Sequence, residues 1–518
     1  MTSKIRRRIL ATACSFVLGT VLLSGAPTAA SAAPETALDA SPRRFVSDHM
    51  AKIAGKAIRY RASVEEHVLT DAAGNRTASV YTFSYERRDL PRSSERPVIF
   101  AFNGGPGSAS LWLHLGLLGP VRVASTDSLT PTTVAPFRTV ANEATPLDVA
   151  DIVLIDPVGT GYSRMLPAAK PDQFLGVDAD AQATVKIIEQ WLRDRGRMNA
   201  PKYLLSESYG TIRAAVVAKL LAGGPTATGT MDGITLNGLI LLGPTFDLEM
   251  GAGSDTAFAT ALPTLAATAC FHGKGPANCT AESAVLAGRQ FARSDYLATL
   301  FHGADADNRT KEDVAKRLGT LIGLDPKIVL AHDLRITTAD YAKLLLSDQG
   351  KQLGMYDARF VFDNHASGGD PVADDPAMGS YVPGFVGAMD AYLRNSLGVD
   401  IKDDYRAISF RDVNGRWDYG RGPGIPQQHN YATELAVAMR RNPSLRVMIG
   451  NGFYDLVTTL GQAEYTTAHA GIAKSRLLYR YYPSGHMSYL GEAARKSLAK
   501  DIRDLVSDRP LEPAAISR

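Results

Sequence analysis

Cysteine is nearly absent from this chain, with three in 518 residues, at positions 14, 270 and 279. So few thiols exclude a scaffold built on disulfides and a cysteine-rich metal cluster. Long apolar runs are missing too. Past the first two dozen residues, nothing approaches the roughly 20 apolar residues that a bilayer-spanning helix needs. Nor does one sign of charge dominate: 56 Lys and Arg face 53 Asp and Glu, a net +3. Four of those positive charges, Lys4, Arg6, Arg7 and Arg8, lie in the first 32 residues, which hold no acidic residue, so residues 33–518 carry −1. That balance gives no reason to expect nucleic acid or an anionic membrane surface as a partner.

What the N-terminus does have is the three-part pattern of an export signal. The basic cluster is followed by an apolar stretch from Ile9 to Leu23 and by the small residues Ala30-Ser31-Ala32. The pattern predicts a signal peptide over 1–32 and a secreted protein, extracellular or periplasmic, without a stable membrane anchor after cleavage. A retained anchor and a twin-arginine signal are the alternatives. Cys14 would leave with that segment. Cys270 and Cys279 are then expected to form one disulfide in an oxidising compartment, with a metal site that includes His272 as the alternative.

The rest is long enough for a large core and a second subdomain. A polar segment covers about 33–65, and Thr70-Asp-Ala-Ala-Gly-Asn-Arg76 separates two alternating runs as a hairpin would. Short unbroken apolar runs then recur: Val98–Phe102, Ile152–Ile155, Tyr203–Leu205, Leu239–Leu242, Arg446–Ile449 and Leu477–Tyr482. Runs without alternation predict strands buried on both faces, as in a mostly parallel α/β sheet. Helical stripes lie between them, one at Val185, Ile188, Trp191 and Leu192, another at Ile212, Val216, Leu220 and Leu221. From 246 to 434 helical patterns and Gly/Pro/Asp loops replace the apolar strands. The expected division is an α/β core over 33–245 and 435–518, with 246–434 inserted over the carboxyl ends of the strands, where ligands bind in such sheets. An acidic loop from Asp363 to Asp375 lacks calcium-loop spacing and reads as a solvated turn.

The chemistry concentrates at strand ends. Tyr203-Leu-Leu runs into Ser206-Glu-Ser-Tyr-Gly210 and then at once into an Ala/Val-rich helix. A strand, sharp turn and helix would lift Ser208 Oγ to the sheet edge as a nucleophile, close to a G-x-S-x-G elbow with serine in the first glycine position. Val98–Phe102 runs into Asn103-Gly-Gly-Pro-Gly-Ser108, whose glycines let backbone amides approach a ligand. With the usual elbow arrangement, the Gly105 and Tyr209 amides are the expected oxyanion hole. Arg446–Ile449 leads to Asp455, suited to orient an imidazole, and Leu477–Tyr482 leads to Pro483-Ser-Gly-His486, the natural proton shuttle. The chain order is Ser208, Asp455, His486. Such acyl-transfer chemistry needs no cofactor and no metal.

These motifs together resemble the serine carboxypeptidases. Phe102-Asn-Gly-Gly-Pro-Gly-Ser-Ala-Ser110, Asp156-Pro-Val-Gly-Thr-Gly-Tyr-Ser163, Glu207-Ser-Tyr-Gly210, Asp455 and Gly485-His-Met487 carry the resemblance, over roughly 80–245 and 440–492. It implies an α/β-hydrolase fold with a large, mainly helical insertion, and removal of C-terminal residues from peptides or proteins, typically in acid. It also implies that Asn103 and Glu207 bind the substrate's terminal carboxylate, a role Glu207 can fill only when protonated. Three positions depart from the family pattern. Phe102 and Ser108 stand where Trp and a bridged Cys are usual, and Leu117 stands where a second glutamate often helps to read the carboxylate. The expectation is therefore a serine carboxypeptidase, with an esterase or acyltransferase on the same triad as the enzymatic alternative. A binding protein that kept the fold is the non-enzymatic one.

Overall fold

The computed structural model describes residues 41–90, 95–224, 233–248, 253–365, 368–420, 429–511 and 516. The expected signal segment lies outside them. Nine strands form the body of one sheet: β1 (Arg44–Ile53), β2 (Lys56–Thr70), β3 (Arg76–Arg87), β4 (Val98–Phe102), β5 (Asp151–Ile155), β6 (Lys202–Glu207), β7 (Gly238–Leu242), β8 (Arg446–Gly452) and β9 (Leu477–Tyr482). Their order is β1-β2-β3-β5-β4-β6-β7-β8-β9, and the short strand Arg164–Met165 adds to β3. The first three are antiparallel, and everything from β5 to β9 runs parallel. The chain turns back between β5 and β4, so the carboxyl ends of β4 and β6 open side by side at the switch in strand order.

Strands β4, β5, β6 and β7 are buried along their whole length. Successive residues serve opposite layers. Phe100 and Phe102 join one core cluster, Ile99 and Ala101 the other. On the first face lie the helices Val177–Asp194 and Gly210–Leu221, where the Trp191 ring stands edge-on to Phe100 at 5.4 Å and its indole donates to Ser84 Oγ at 2.9 Å. On the other lie Glu492–Val506 and Pro376–Asn395, through Leu498, Ile502, Phe385 and Tyr392. The result is the mostly parallel sheet between helices that the apolar runs predict.

One expectation needs correction. Residues 44–65, read as a polar segment, contain β1 and most of β2. The strand β1 lies at the sheet edge and pairs with β2 alone, and its residues alternate between exposed and half-buried up to Ile53. An edge strand with one neighbour and one solvated face needs no apolar run. The segment between β7 and β8 is largely helical, as its pattern suggests, but also holds a ribbon of Lys351–Leu353 paired with Val361–Asp363. Cys270 and Cys279 are joined in a disulfide at the end of the helix Asp255–Phe271, with Cα atoms 5.9 Å apart. His272 is engaged elsewhere, with Nε2 2.7 Å from the Ala358 carbonyl.

The helix Leu460–Ala468, which follows β8, packs on Asp255–Phe271 through a glycine. A Cβ on Gly461 would fall 2.2 Å from the Thr260 carbonyl oxygen. Gly461→Ala must push the two helices apart and is expected to lose about 1–3 kcal/mol, as overpacked sites do. An unchanged urea midpoint would rule out this tight contact.

Candidate active site

The apolar strand β6 stops where the Ser208 amide donates to the Leu242 carbonyl at 2.9 Å. Ser208 itself has φ of +60°, a left-handed conformation that non-glycine residues rarely adopt, and it is half-buried. Thr211 closes the turn by donating to the Ser208 carbonyl through its amide at 2.8 Å and its hydroxyl at 2.7 Å. The helix Gly210–Leu221 begins at once. Strain at a single serine, held between strand and helix, is what a strand–turn–helix elbow requires.

The loop after β4 lies directly against this turn. A Cβ on Gly104 would be 2.6 Å from the amide nitrogens of both Tyr209 and Gly210, so only glycine fits. Gly105, at φ +103°, lines the same cavity as Ser208. The Tyr209 side chain turns away into the core, edge-on to Trp417 at 5.3 Å. The loop is clamped from behind: Arg213 Nη1 donates to the Asn103 carbonyl at 2.7 Å, and its Nε donates to the buried Asp180 at 2.6 Å. At the departing position 108, the hydroxyl accepts the Trp112 indole at 2.8 Å.

Asp455 is fully buried past the end of β8. It accepts from the amides of Val457 and Thr458 at 2.9 Å each and from Thr458 Oγ1 at 2.6 Å, and its Oδ2 stands 2.9 Å from His486 Nδ1. Thr458 Oγ1 is also 3.1 Å from His486 Nδ1. Burial works against a charged His486. The charge and hydrogen bond of Asp455, with Glu207 and Asp375 behind them, outweigh it and hold the imidazole above its usual pKa. The His486 loop is fixed by its amide, which donates to the Tyr356 carbonyl at 2.6 Å, and by the Tyr356 ring edge-on at 5.4 Å. Neither Thr458 nor Tyr356 was singled out in the sequence. Thr458 carries a local signal, three residues after an aspartate, whereas Tyr356 carries none.

Glu207 and Asn103 meet below the cavity. Asn103 Nδ2 donates to Glu207 Oε1 at 2.8 Å, and Asn103 Oδ1 accepts the Leu113 amide at 3.1 Å. Burial pushes the Glu207 carboxyl up to about 7, against the pull of His486, Tyr489 and Asn103. Leu117 is buried and does not line the cavity. The cavity, about 180 Å³, is bounded by Asn103, Gly104, Gly105, Glu207, Ser208 and His486, with Trp112, Tyr356, Met378, Ile408, Phe410 and Met487 forming an apolar wall. A larger space of about 540 Å³ near Arg289, Glu464 and His469 contains none of these groups, so size does not locate the chemistry.

Residues 67–283 match the model of the serine carboxypeptidase family. The matched stretch holds Asn103, Gly105, Glu207 and Ser208 and ends before Asp455 and His486. Motifs and match thus agree on one family. Among solved structures, the chain is similar to Kex1Δp, a prohormone-processing carboxypeptidase from Saccharomyces cerevisiae, at 15% identity and a TM-score of 0.54, covering 86% of this chain and 91% of that one. A proline iminopeptidase from Mycobacterium smegmatis matches at 12% identity and a TM-score of 0.37, covering 86% and 98%. At 15% identity the likeness to Kex1Δp bears on the fold alone, which is that of the α/β-hydrolases. No curated protein sequence matches the chain.

The Thr458 side chain donates to Asp455. Thr458→Val removes one hydrogen bond to a buried carboxylate, worth about 1.5–3 kcal/mol. It is expected to slow labelling of Ser208 by a fluorophosphonate by at least about tenfold, with the fold intact by circular dichroism. Labelling at the wild-type rate would mean that the remaining partners of Asp455 suffice.

Proposed function

We propose that this protein is an exported serine carboxypeptidase-like hydrolase that removes C-terminal residues from peptides through an acyl-enzyme on Ser208. The observation that carries the reading is the Glu207 carboxyl: buried, bonded to Asn103, adjacent in the chain to Ser208 and pushed up to about 7. Plain acyl transfer has no need of a half-protonated carboxyl beside the nucleophile. Recognition of a second carboxylate does, because two ionised carboxylates in contact repel while an acid and a carboxylate share a strong hydrogen bond.

With the terminal carboxylate against Asn103 and protonated Glu207, Ser208 Oγ attacks the scissile carbonyl carbon as His486 Nε2 takes its proton. The oxyanion is held by the Gly105 and Tyr209 amides. Collapse breaks the peptide bond, His486 returns the proton to the leaving amine, and an ester remains on Ser208. Water, deprotonated by His486, then attacks the ester and releases the shortened peptide and a free Ser208 hydroxyl. Asp455 keeps Nδ1–H pointed inward and balances the imidazolium. The apolar wall of Trp112, Tyr356, Ile408 and Phe410 favours an apolar side chain next to the scissile bond. In this reading residues 246–434 form the insertion that supplies the Tyr356, Ile408 and Phe410 part of that wall. Export rests on the N-terminal pattern.

The pH dependence has two opposed limbs. Glu207 must keep its proton to bind a free carboxylate, so binding is present below about 7 and lost as pH rises through that value. His486 must lose its proton to act as base, and its raised pKa moves that limb up from the acid side. For a free-acid peptide, KM should climb about tenfold per pH unit above 7. For the C-terminal amide of the same peptide it should not, and Glu207→Gln should flatten the climb. Ser208→Ala should leave a folded protein with turnover near zero. Equal rates on acid and amide across pH would favour the esterase or acyltransferase reading that Leu117 keeps open.

A further inference from the structure

The turn that carries Leu117 offers no polar side chain toward Glu207. His114, its one polar residue, is buried with Nε2 held by Tyr85 Oη at 2.5 Å. What the turn offers is space. A Cβ on Gly116 would fall 2.3 Å from Cε2 and 2.8 Å from Cδ2 of Tyr489, so the bare glycine is what lets that ring lie on the turn. Tyr489 comes three residues after His486 and is completely buried, and its hydroxyl stands beside the Glu207 carboxyl and the Asn103 amide.

Two atoms there are left over. Glu207 Oε1 is taken by Asn103, but Glu207 Oε2 and Tyr489 Oη are buried with no hydrogen bond of good geometry, although the two side chains face each other. Buried polar atoms without partners are costly and uncommon, and two of them together beside a nucleophile mark a place kept for a proton or a ligand oxygen. A phenol, unlike a second carboxylate, adds a donor without adding charge. Burial and the neighbouring carboxyl push the Tyr489 phenol well above 10, so its proton stays in place at any working pH.

We propose that Tyr489 is a positioning residue for Glu207: its unpartnered hydroxyl donates to Oε2 when Glu207 gives up its proton, and so takes the polar place that Leu117 leaves without a side chain able to fill it. The inference rests on the carboxylate-reading role proposed for Glu207, but its physical core does not. The groups facing Glu207 are His486, Asn103 and Tyr489, which favour the ionised form, and Asp455, which opposes it along with burial. Removing the phenol oxygen takes away one donor to the ion. The pH at which Glu207 loses its proton must then rise.

Tyr489→Phe deletes one oxygen and keeps the ring on Gly116. Glu207 is followed by infrared titration of its buried carboxyl band, which Glu207→Gln identifies by removing it. The midpoint is expected to rise by about one pH unit, tenfold in the protonation equilibrium, in Tyr489→Phe. The alkaline limb of KM for a free-acid peptide is expected to move with it, while KM for the amide stays unchanged. In a Glu207→Gln background the same substitution should leave both pH profiles as they were. An unmoved carboxyl midpoint overturns the assignment of Tyr489, whatever the substrate. A moved midpoint with acid and amide still handled alike sustains the Tyr489–Glu207 contact and overturns the carboxypeptidase reading instead.

Discussion

The site hangs on one contact between two stretches of backbone, where the Gly104 α-carbon meets the amides of Tyr209 and Gly210 with no room for a side chain. That approach brings the loop after β4 against the turn after β6, two strands that are direct neighbours in register, with Phe102 opposite Ser206. The polar contacts between loop and turn follow from it. Asn103 reaches Glu207 because its loop lies flush on the turn, and Gly105 shares a cavity with Ser208 for the same reason. Arg213 pulls from the other side, anchored by Asp180 and sandwiched near the rings of Phe102 and Tyr209 at 5.2 and 5.5 Å. Buried arginine is costly, and here its cost is offset by an ion pair, a carbonyl and two ring faces.

Charge in the cavity is arranged as a sequence of compromises. Asp455 accepts from two amides and a hydroxyl in a fully buried position, and its charge supports an imidazolium at His486. Glu207 lies close enough to feel both. The cation at His486 favours its ionised form and the charge of Asp455 disfavours it, so the proton on Glu207 is coupled to the one on His486. A site that only transferred acyl groups would do better with an amide at 207, free of this coupling. The carboxyl makes sense where a free carboxylate must be admitted and a neutral terminus turned away.

Much of this was legible in the sequence because parallel strands buried on both faces are written as unbroken apolar runs, and the residues just past them are the ones a sheet presents to solvent. Asn103, Ser208, Asp455 and His486 all follow such runs, and Tyr60 or Arg44, on strands with a solvated or edge character, do not. That is also why β1 reads in the sequence as part of a polar segment. Thr458 could have been found from its spacing to Asp455. Tyr356 and Tyr489 could not. The first matters only because its carbonyl and ring meet a histidine 130 residues away, and the second because a glycine nearly four hundred residues earlier leaves a hole of its shape. Side chains whose role is set by a distant absence leave no local pattern.

The segment 406–414 shows how the wall of the cavity is tied to its chemistry. Ala109 donates to the Ala407 carbonyl at 2.9 Å, the Ser409 amide donates to the Gly107 carbonyl at 2.7 Å, and Asn414 Nδ2 donates to the Pro106 carbonyl at 3.1 Å. Ile408 and Phe410, part of the apolar wall, are therefore carried on the same hydrogen-bonded unit as the glycine loop that faces Ser208. A side chain pressing on that wall would push, through these three bonds, on the backbone proposed to receive the oxyanion. Apolar wall and glycine loop are thus set by one body of structure, so a change in either shifts the other.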